Sequence, residues 1–387
     1  DIFNSNIFYS KDIAMPSLTL NMNALRWNLS QMPRLEQSWN FSFMPVLKMV
    51  ACHPAVVDAV KQAGYRHYGA AEVDEPLFWK NESTPDTSAP DDRPVLISLP
   101  PLHRADEVVR LFSRSPADSV EALEALDAAA ERRGSDVPPH DCIVMLDLGD
   151  MREGIPIEHS DEFFHSVANR FKRLNLTGIG VTMGCLHGAC PDAIAMNELA
   201  RAAARAQAIL GRTLSLVSLG GSIFWDWWAE HHGEFACPPG CRVELRIADP
   251  ILLGYDSYHE KASAGGTFRR DLFKLDATVL EVTERNLRPP RVLALNGQGE
   301  IARLTRTGLR RRALLDCGIL HTDVRQLKLD VPGAEIVDFS GNYTILDVTD
   351  CAEDFRPGKT VSFVPGYWAV AQSFRNPMVP KYCVSCA

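Results

Sequence analysis

Hydrophobic residues in the first two-thirds of the chain alternate between short unbroken runs and stretches with helical spacing. The run FSFMPVLKMV at 41–50 is typical of a strand buried on both faces. Residues 54–63 place small apolar side chains on one helical stripe, and Gly64 ends that helix. About eight such strand-then-helix units follow one another between Phe41 and Gly254. They predict a parallel sheet closed as a (β/α)8 barrel of the TIM type.

Shorter segments complete this alternating series. The further predicted strands lie at 65–69, 95–99, just before 119, 142–147, 176–182, 214–219 and 243–247. The further predicted helices lie at 72–80, 104–112, 119–133, 161–173 and 192–210, with a polar loop at 81–93. An open doubly wound sheet is the alternative architecture. A dinucleotide-binding version of it is disfavoured, because no Gly-x-Gly-x-x-Gly follows an early strand.

The pattern changes from about Lys274 onward. Short segments rich in Val, Thr and Leu alternate there with turn residues such as Asn296-Gly297, which predicts an all-β domain. We therefore expect three parts. Residues 1–20 form an N-terminal segment that pairs with the β-domain, residues 21–265 form the barrel, and residues 266–387 form the β-domain.

Charge and cysteine content narrow the functional classes. The 387 residues include 40 Lys and Arg against 49 Asp and Glu, a net charge of −9, which disfavours a nucleic-acid partner. No apolar run is long enough to span a bilayer and no signal-peptide pattern opens the chain, so we expect a cytoplasmic protein without a membrane partner. The ten cysteines are typical of reduced thiols. No metal is expected, although the close pairs Cys237/Cys241 and Cys383/Cys386 leave a structural metal as an alternative.

Barrel enzymes place their chemistry where the strands end. Lys48 lies inside the first apolar run, where a lysine is costly unless its amine has a partner or a function. One interpretation is a lysine that extends its amine to solvent. The other is a Schiff-base lysine, whose free amine attacks a carbonyl group.

Polar residues also follow later strands. Arg152 lies in the loop DLGDMREG after 142–147, where it either points into the barrel mouth or forms a salt bridge within the loop. Arg246 ends the strand 243–247 and is expected to point into the mouth. The segment SLGGS at 218–222 exposes backbone N–H groups and hydroxyls, which suit a phosphate. A lysine, two arginines and a phosphate site are what pyridoxal phosphate (PLP) needs.

In this order the motifs resemble the fold-type III PLP enzymes typified by alanine racemase, and within them the ornithine-racemase-like and YhfX-like branch. The resemblance rests on VLKMV at 46–50 with His53-Pro54, LDLGDMREGI at 146–155, SLGGS at 218–222 and LRI at 245–247. The opening PSLTLNMNAL at 16–25 is similar to the first strand and helix of that family. The resemblance covers nearly the whole chain, including the β-domain.

The resemblance implies a role for each motif. Lys48 would bind PLP covalently and move the α-proton on one face, and Arg152 would contact the cofactor's phenolic oxygen. Arg246 would face the pyridine nitrogen and keep it unprotonated, because arginine does not readily give up its proton. That arrangement would suppress side reactions such as transamination. The residues implied in phosphate binding are Ser218, Gly220, Gly221, Ser222, Ala248 through its backbone, and Tyr367 from the β-domain.

The sequence departs from the family in three places. Cys52 stands where alanine racemases have a phosphate-binding tyrosine, and Ala248 stands where a glycine is usual. The second acid/base of a two-base racemisation is not marked by the family's tyrosine motif. The resemblance implies Tyr343 for that role, with Cys317 as the next candidate, and packing in the β-domain is the alternative for both.

The expected function is a PLP-dependent amino-acid racemase or epimerase, an isomerase that acts as a homodimer with shared active sites. A D-amino-acid aldolase or dehydratase of the same fold is the first alternative, but its late metal-binding histidine has no counterpart after Lys328. A non-catalytic PLP-carrying protein is the second alternative, although such relatives consist of the barrel alone. The aromatic cluster Trp225, Trp227, Trp228, His231 and His232 would either line the substrate pocket or, as is slightly favoured, pack the dimer interface.

Overall fold

The computed structural model describes residues 15–79, 93–292, 294–301 and 306–385. The polar loop predicted at 81–93 lies outside these residues apart from Arg93, and so does Cys386. The chain divides into two compact units. Residues 25–269 form one unit, and the described residues up to Ala24 join those from Arg270 onward in the other. The domain limits at 20 and 265 stay a prediction.

A strand and a long helix open the described chain. They are β1 (Ser17–Asn21) and α1 (Met22–Trp39). Asn21 marks the change from strand to helix, because its Oδ1 accepts the backbone N–H groups of Asn23 at 3.1 Å and Ala24 at 3.2 Å. These bonds satisfy two amides that have no partner within the helix.

The larger unit is built around parallel strands. They are β2 (Ser42–Pro45), β3 (Gly69–Ala70), β4 (Val95–Leu96), β5 (Arg114–Ala117), β6 (His140–Asp147), β7 (Ile155–Pro156), β8 (Leu174–Thr182), β9 (Leu216–Gly220) and β10 (Arg242–Ile247). Eight of them follow the order β2-β10-β9-β8-β6-β5-β4-β3, and β7 pairs with the edge of β6. A parallel bridge between Val46 and Gly69 joins the two ends of this order. The eight-stranded TIM-type barrel is therefore confirmed.

Helices follow most of these strands. They are α2 (Pro54–Gln62), α3 (Ala105–Leu111), α4 (Val120–Arg132), α5 (Ser160–Val167), α6 (Ala193–Leu210), α7 (Ile223–His231) and α8 (Asp249–Leu252). In α4 the buried residues recur at helical spacing, and the hydroxyl of Ser119 caps the first turn by accepting the Ala122 N–H at 3.3 Å. Two short antiparallel strands, β11 (Tyr255–Asp256) and β12 (Lys261–Ala262), close the unit.

Three predicted elements differ from the structure besides the strand predicted at 65–69, which is reduced to Gly69–Ala70. The strand predicted over 41–50 ends at Pro45, and Lys48–Val50 form a 3₁₀ turn instead. The helix predicted over 72–80 is a 3₁₀ turn at Glu75–Leu77 in its described part, and the helix predicted over 161–173 ends at Val167. A continuous apolar run does not distinguish a long strand from a strand followed by a buried turn, which accounts for the first difference.

The smaller unit is a mostly antiparallel sheet with one helix. Its elements are β13 (Phe273–Leu287), β14 (Gly308–Leu315), β15 (Leu327–Lys328), β16 (Glu335–Phe339), β17 (Thr344–Asp347), β18 (Thr360–Pro365), α9 (Tyr367–Arg375) and β19 (Lys381–Val384). The strand order is β15-β18-β13-β14-β17-β16, and β1 pairs antiparallel with β13 and parallel with β19. A C-terminal β-sheet domain is thus confirmed, but α9 was not predicted. Within the described ranges, no helix combines the length and apolar character needed to cross a bilayer.

Candidate active site

Lys48 lies at the carboxyl end of β2, where barrel enzymes carry their chemistry. The backbone there is held by the bond from the Leu47 N–H to the Gly69 carbonyl, 2.9 Å long. The Lys48 side chain is half-buried between two buried neighbours. Among the residues that the structure describes, its ammonium has neither a hydrogen bond nor an ion pair. A partly desolvated amine without a partner is costly, so a functional role is favoured over a structural one.

The turn that carries Lys48 is strained. Ala51 and Cys52 follow it with φ values of 46° and 50°, in the left-handed region that residues with a Cβ rarely adopt. Such conformations cost about 1–3 kcal/mol each and persist only where neighbouring contacts impose them. Trp79 provides one such contact, because its indole N–H donates to the Ala51 carbonyl at 2.7 Å.

Arg246 is buried at the end of β10, with 4% of its surface exposed. Its Nη1 donates to the carbonyl of Ser218 at 3.2 Å and to the Ser218 hydroxyl at 2.6 Å. Its Nη2 donates to the carbonyl of Val181 at 2.8 Å and to the Thr182 hydroxyl at 3.2 Å. The guanidinium therefore spans β10, β9 and β8. Burial lowers the pKa of Arg246 to about 10.

Two glycines make room for this guanidinium. A Cβ at Gly220 would lie 2.1 Å from Nη2 of Arg246, and a Cβ at Gly180 would lie 3.2 Å from Nη1. Gly220 therefore clears space for an arginine. The phosphate contact expected of Gly220 stays a prediction.

The Ser218 hydroxyl is also committed inside the barrel. It donates to Oε1 of Glu244 at 2.7 Å while it accepts from Arg246. Glu244 in turn accepts from Nη2 of Arg114 at 2.6 Å and 2.7 Å, so an ion pair joins β10 to β5 on the opposite side of the barrel. These contacts place residues 218 and 220 on the interior face of β9, and the phosphate contact expected of Ser218 stays a prediction.

The segment after β9 carries two further residues predicted to bind the phosphate, Gly221 and Ser222. Gly221 has a φ of 111°, and a Cβ there would lie 2.5 Å from the Met183 carbonyl, so only glycine fits. The Ser222 hydroxyl accepts the backbone N–H groups of Ala248 at 3.4 Å and Asp249 at 3.3 Å. Of the predicted phosphate residues in the barrel, the structure thus brings together Gly221, Ser222 and Ala248.

Arg152 forms an ion pair within its own loop. Its guanidinium donates to both carboxylate oxygens of Glu153, and these bonds raise the pKa of Arg152. This is the salt bridge that the sequence left open. Arg152 also lies within electrostatic reach of Arg246, and Glu153 stabilises the charge of Arg246.

Asp150 holds two loops at the barrel mouth together. Its buried carboxylate accepts the backbone N–H groups of Leu186 at 3.2 Å and His187 at 3.3 Å. The His187 ring lies with Nδ1 2.8 Å from the Asp150 carbonyl oxygen. His187 therefore has a structural role in this loop.

Residues 20–236 match the sequence model of the family described as alanine racemase, N-terminal domain. The chain belongs to that family. It is therefore a member of an isomerase family, as the motifs predict. The match covers Lys48, Arg152 and the segment after β9, and it ends before Arg246 and Ala248.

Curated relatives extend the similarity beyond the barrel. An ornithine racemase from Acetoanaerobium sticklandii is 24% identical over 367 residues, covering 95% of this chain and 99% of the relative. A lysine racemase from Thermotoga maritima is 24% identical over 366 residues, covering 95% of this chain and 98% of the relative.

Solved structures share the fold over the same length. An alanine racemase from a D-cycloserine-producing Streptomyces lavendulae aligns with a TM-score of 0.69 at 14% identity, covering 97% of this chain and 99% of that one. A D-threonine aldolase from Filomicrobium marinum aligns with a TM-score of 0.66 at 16% identity, covering 94% of this chain and 90% of that one. At these identities the likeness establishes the fold alone.

Within the smaller unit of this alanine racemase family member, the two acid/base candidates differ in exposure. Cys317 is fully buried, and burial raises the pKa of its thiol to about 12. Tyr343 is 42% exposed, and its backbone packs against Gly318, where a Cβ would lie 2.5 Å from the Tyr343 nitrogen. Tyr367, the expected phosphate ligand, is the first residue of α9.

Two tryptophans of the aromatic cluster are packing residues. Trp225 and Trp228 are 1% and 2% exposed. The ring of Trp225 lies edge-on to Trp39 at 5.0 Å, and the Trp228 indole donates to the Trp39 carbonyl at 3.0 Å. These two side chains therefore pack inside the larger unit, and the packing at a dimer interface expected of the cluster stays a prediction.

The first cysteine pair contains free thiols. The Cys241 thiol donates to the Leu214 carbonyl at 3.1 Å, and the interaction between the two thiols raises the pKa of Cys237 and lowers that of Cys241. Within the described ranges, no group of three or more His, Cys, Asp or Glu side chains is arranged to hold a metal ion.

Sequence reasoning missed Arg114, Glu244 and Glu153. The signal that could have found the first two is a charged residue inside an otherwise apolar strand, as in RSPA at 114–117 and RVELRI at 242–247. Such a charge must be paired inside the barrel. Its partner, however, lies 130 positions away, and only the closed barrel brings the two together.

Proposed function

We propose that this chain is a PLP-dependent amino-acid racemase. The observation that carries the proposal is the half-buried Lys48 amine, which has no partner among the described residues and ends a barrel strand next to the one that carries Arg246. A lysine of this kind is available to form a covalent bond with an aldehyde.

The side chains around Lys48 fit the cofactor. PLP needs an amine for its aldehyde, a donor for its ring nitrogen and an anion site for its phosphate. Gly221 is a position where only glycine fits, and the backbone N–H groups of Ala248 and Asp249 donate to the Ser222 hydroxyl. These polar groups form a cluster that would turn its N–H and O–H donors to a bound oxyanion. Arg246 supplies a buried cation between these groups.

Each of these residues has its own role in the proposed reaction. When bound, PLP supplies an electron-withdrawing ring that makes the α-proton of an amino acid acidic. Lys48 Nζ removes or returns that proton on one face. Arg246 directs an N–H at the ring nitrogen, and because it keeps its proton it limits how much charge the ring takes up. Gly221, Ser222 and the Ala248 amide hold the phosphate.

The Arg152–Glu153 pair sets the charge at the mouth. Glu153 holds the guanidinium of Arg152 in the loop after β6. We propose that Arg152 contacts the cofactor's phenolic oxygen. Tyr367 stays the proposed phosphate ligand of the smaller unit.

The second proton transfer needs a group on the opposite face of the substrate. We propose that Tyr343 Oη supplies it and that the group comes from a second copy of the chain, so that the enzyme is a homodimer with shared active sites. The exposure of Tyr343 favours it over Cys317, whose buried thiol has a pKa of about 12.

Ornithine and lysine are the substrates to test first, because the two curated relatives carry those names and match nearly the whole chain. Alanine is the contrasting small substrate. We further propose a reducing, cytoplasmic location, which agrees with the nine described cysteines being free.

The test follows the α-proton. The purified enzyme with PLP is incubated in D2O with each enantiomer of ornithine, lysine and alanine, and both deuterium at Cα and the enantiomer ratio are measured. Inversion together with exchange in the wild type, absent in Lys48→Ala, is the expected result. A wild type whose absorption spectrum shows no lysine-bound cofactor, or matches that of Lys48→Ala, would overturn the PLP proposal. Exchange without inversion, or release of an aldehyde from a β-hydroxy amino acid, would favour the aldolase alternative.

A further inference from the structure

Charged side chains that no proposed catalytic step uses cross the barrel interior beneath Arg246. We propose that Glu244 and Arg114 are positioning residues that hold the Arg246 guanidinium, through Ser218, so that its Nε–H points at the ring nitrogen of the cofactor. This inference rests on the proposed function.

The hydrogen bonds of Arg246 leave one donor direction available. Nη1 and Nη2 together make four bonds, to Ser218 Oγ, the Ser218 carbonyl, the Val181 carbonyl and Thr182 Oγ1. A guanidinium has five N–H donors in a fixed plane. Within the described part of the chain, Nε has no hydrogen-bond partner, so it is the donor left for a ligand. Gly220 keeps this side of the guanidinium clear, because a Cβ there would lie 2.8 Å from Nε.

Ser218 transmits the position of Glu244 to Arg246. Its hydroxyl can donate one hydrogen, and that hydrogen goes to Glu244 Oε1 at 2.7 Å. The lone pairs of the same oxygen are then turned toward Nη1 of Arg246 at 2.6 Å. The carboxylate therefore fixes the orientation of the hydroxyl that clamps the guanidinium.

Arg114 keeps Glu244 charged and in place. The pair is buried, with side-chain exposures of 10% and 9%. Burial opposes the charge of Glu244, but Arg114 and the Ser218 hydrogen bond outweigh it and lower the pKa of this carboxyl. Across the barrel the two arginines and one glutamate leave a single net positive charge. Without Glu244, two buried guanidinium groups would repel each other with no carboxylate between them.

Buried pairs of this kind are weak evidence for stability, since replacing both partners by neutral groups is often tolerated. We therefore expect the Arg114–Glu244 ion pair to affect cofactor binding more than the stability of the fold. The charges that act on Arg246 are those of Glu244, Arg114, Glu153 and Arg152, so the pair contributes to the electrostatic setting of the guanidinium as well as to its position.

Three variants test this: Glu244→Gln, the charge-balanced double variant Glu244→Gln with Arg114→Met, and Ser218→Ala. Glu124→Gln is the matched control, because Glu124 pairs with Arg170 on an exposed part of the same barrel. The readouts are the dissociation constant of PLP, the pH midpoint of the visible absorption of the PLP-bound enzyme, and the melting temperature without PLP.

We expect Glu244→Gln to weaken PLP binding about tenfold, in the range known for residues that orient a ligand's direct contacts. The pH midpoint should fall by at least about half a unit, because removing a negative charge disfavours the cationic form of the lysine-bound cofactor. The double variant restores the charge balance, so it should recover the melting temperature and much of the pH midpoint. It should not recover the PLP affinity, because the ion pair that holds the Ser218 hydroxyl in place is gone. Ser218→Ala should weaken PLP binding although it changes no charge, and the control should match the wild type.

Wild-type PLP affinity and pH midpoint in all three variants would overturn the positioning role while leaving the proposed function intact. Recovery of both the melting temperature and the PLP affinity in the double variant would show a purely structural pair and would also overturn it. If Glu244→Gln fails to fold, the PLP affinities of the double variant and of Ser218→Ala test the positioning role. A wild type that binds no PLP would overturn the proposed function and this inference together.

Discussion

Gly220 and Arg246 are complementary in shape: a Cβ at position 220 would lie 2.1 Å from Nη2 of the arginine. The substitution Gly220→Ala must therefore displace a guanidinium that already makes four hydrogen bonds. We expect the free energy of unfolding to fall by about 1–3 kcal/mol, as for other overpacked cores. The PLP dissociation constant should rise as well. Chemical denaturation and PLP titration measure the two effects.

Gly233→Ala is the control for that substitution. Gly233 has no heavy atom within 4 Å of its ideal Cβ position, and its φ is not in the left-handed region. Its unfolding free energy should stay within about 0.5 kcal/mol of the wild type. Equal effects of the two substitutions would contradict the shape argument.

Trp79 is expected to stabilise the strained turn that carries Lys48. Trp79→Phe removes the indole bond to the Ala51 carbonyl but keeps an aromatic ring beside His53. Leaving that carbonyl without its donor should cost about 1–3 kcal/mol of unfolding free energy. The fraction of enzyme trapped with PLP by borohydride should fall too, because Lys48 is held less well.

Trp27→Phe is the matched comparison, since the Trp27 indole also donates to a carbonyl at 2.7 Å but is 47% exposed. Water can replace that bond, so a smaller loss is expected. A loss as large as that of Trp79→Phe would argue against a special role for the Lys48 turn.

Tyr343→Phe should separate the two proton transfers. We expect racemisation to fall by about 10²–10⁴-fold, the usual contribution of a positioned acid or base. One enantiomer should still exchange its α-proton in D2O, through Lys48 on its own face, and the other should not. Cys317→Ala is the comparison variant. In it, both enantiomers should exchange their α-protons, as in the wild type. Loss of exchange from both enantiomers in Tyr343→Phe would show that the tyrosine does not act on one face.

Lys48 and Arg246 could be predicted as site residues because each is a charge at the end of an apolar strand. The direction of the Ser218 side chain could not be predicted in the same way, because the phosphate-binding role of Ser218 was predicted from the glycine-rich motif at 218–222. Alternation along β9 places 218 and 220 on one face, and the partners on that face, Glu244 and Arg246, come from β10. Which strand neighbours β9 is fixed only by the closed barrel.

The helix α9 was missed for a related reason. Its buried residues Ala369, Val370 and Phe374 have helical spacing. They follow directly after the alternating strand β18, in a region where the surrounding pattern favours strands. A nine-residue helix gives too few repeats to override that context.

His140 makes the stability of the barrel depend on pH. It lies at the start of β6, with Nε2 2.9 Å from the Ser115 hydroxyl, and burial, helped by Arg93 and Arg133, lowers its pKa to about 3 from an ordinary 6.5. The unfolded chain therefore binds a proton below pH 6.5 that the folded chain does not. The contribution of His140 to stability is complete above pH 6.5 and is lost as the pH falls toward 3, at about 1 kcal/mol per pH unit.

His140→Asn should flatten this dependence, because asparagine can still bond to Ser115 but does not titrate. Unfolding free energies measured by urea between pH 4 and pH 7 are the check, with the exposed His103→Asn as the control. We expect the slope between pH 4 and pH 6 to decrease in His140→Asn and to stay unchanged in the control. An unchanged slope in both variants would mean that other groups, not His140, take up the proton on acid unfolding.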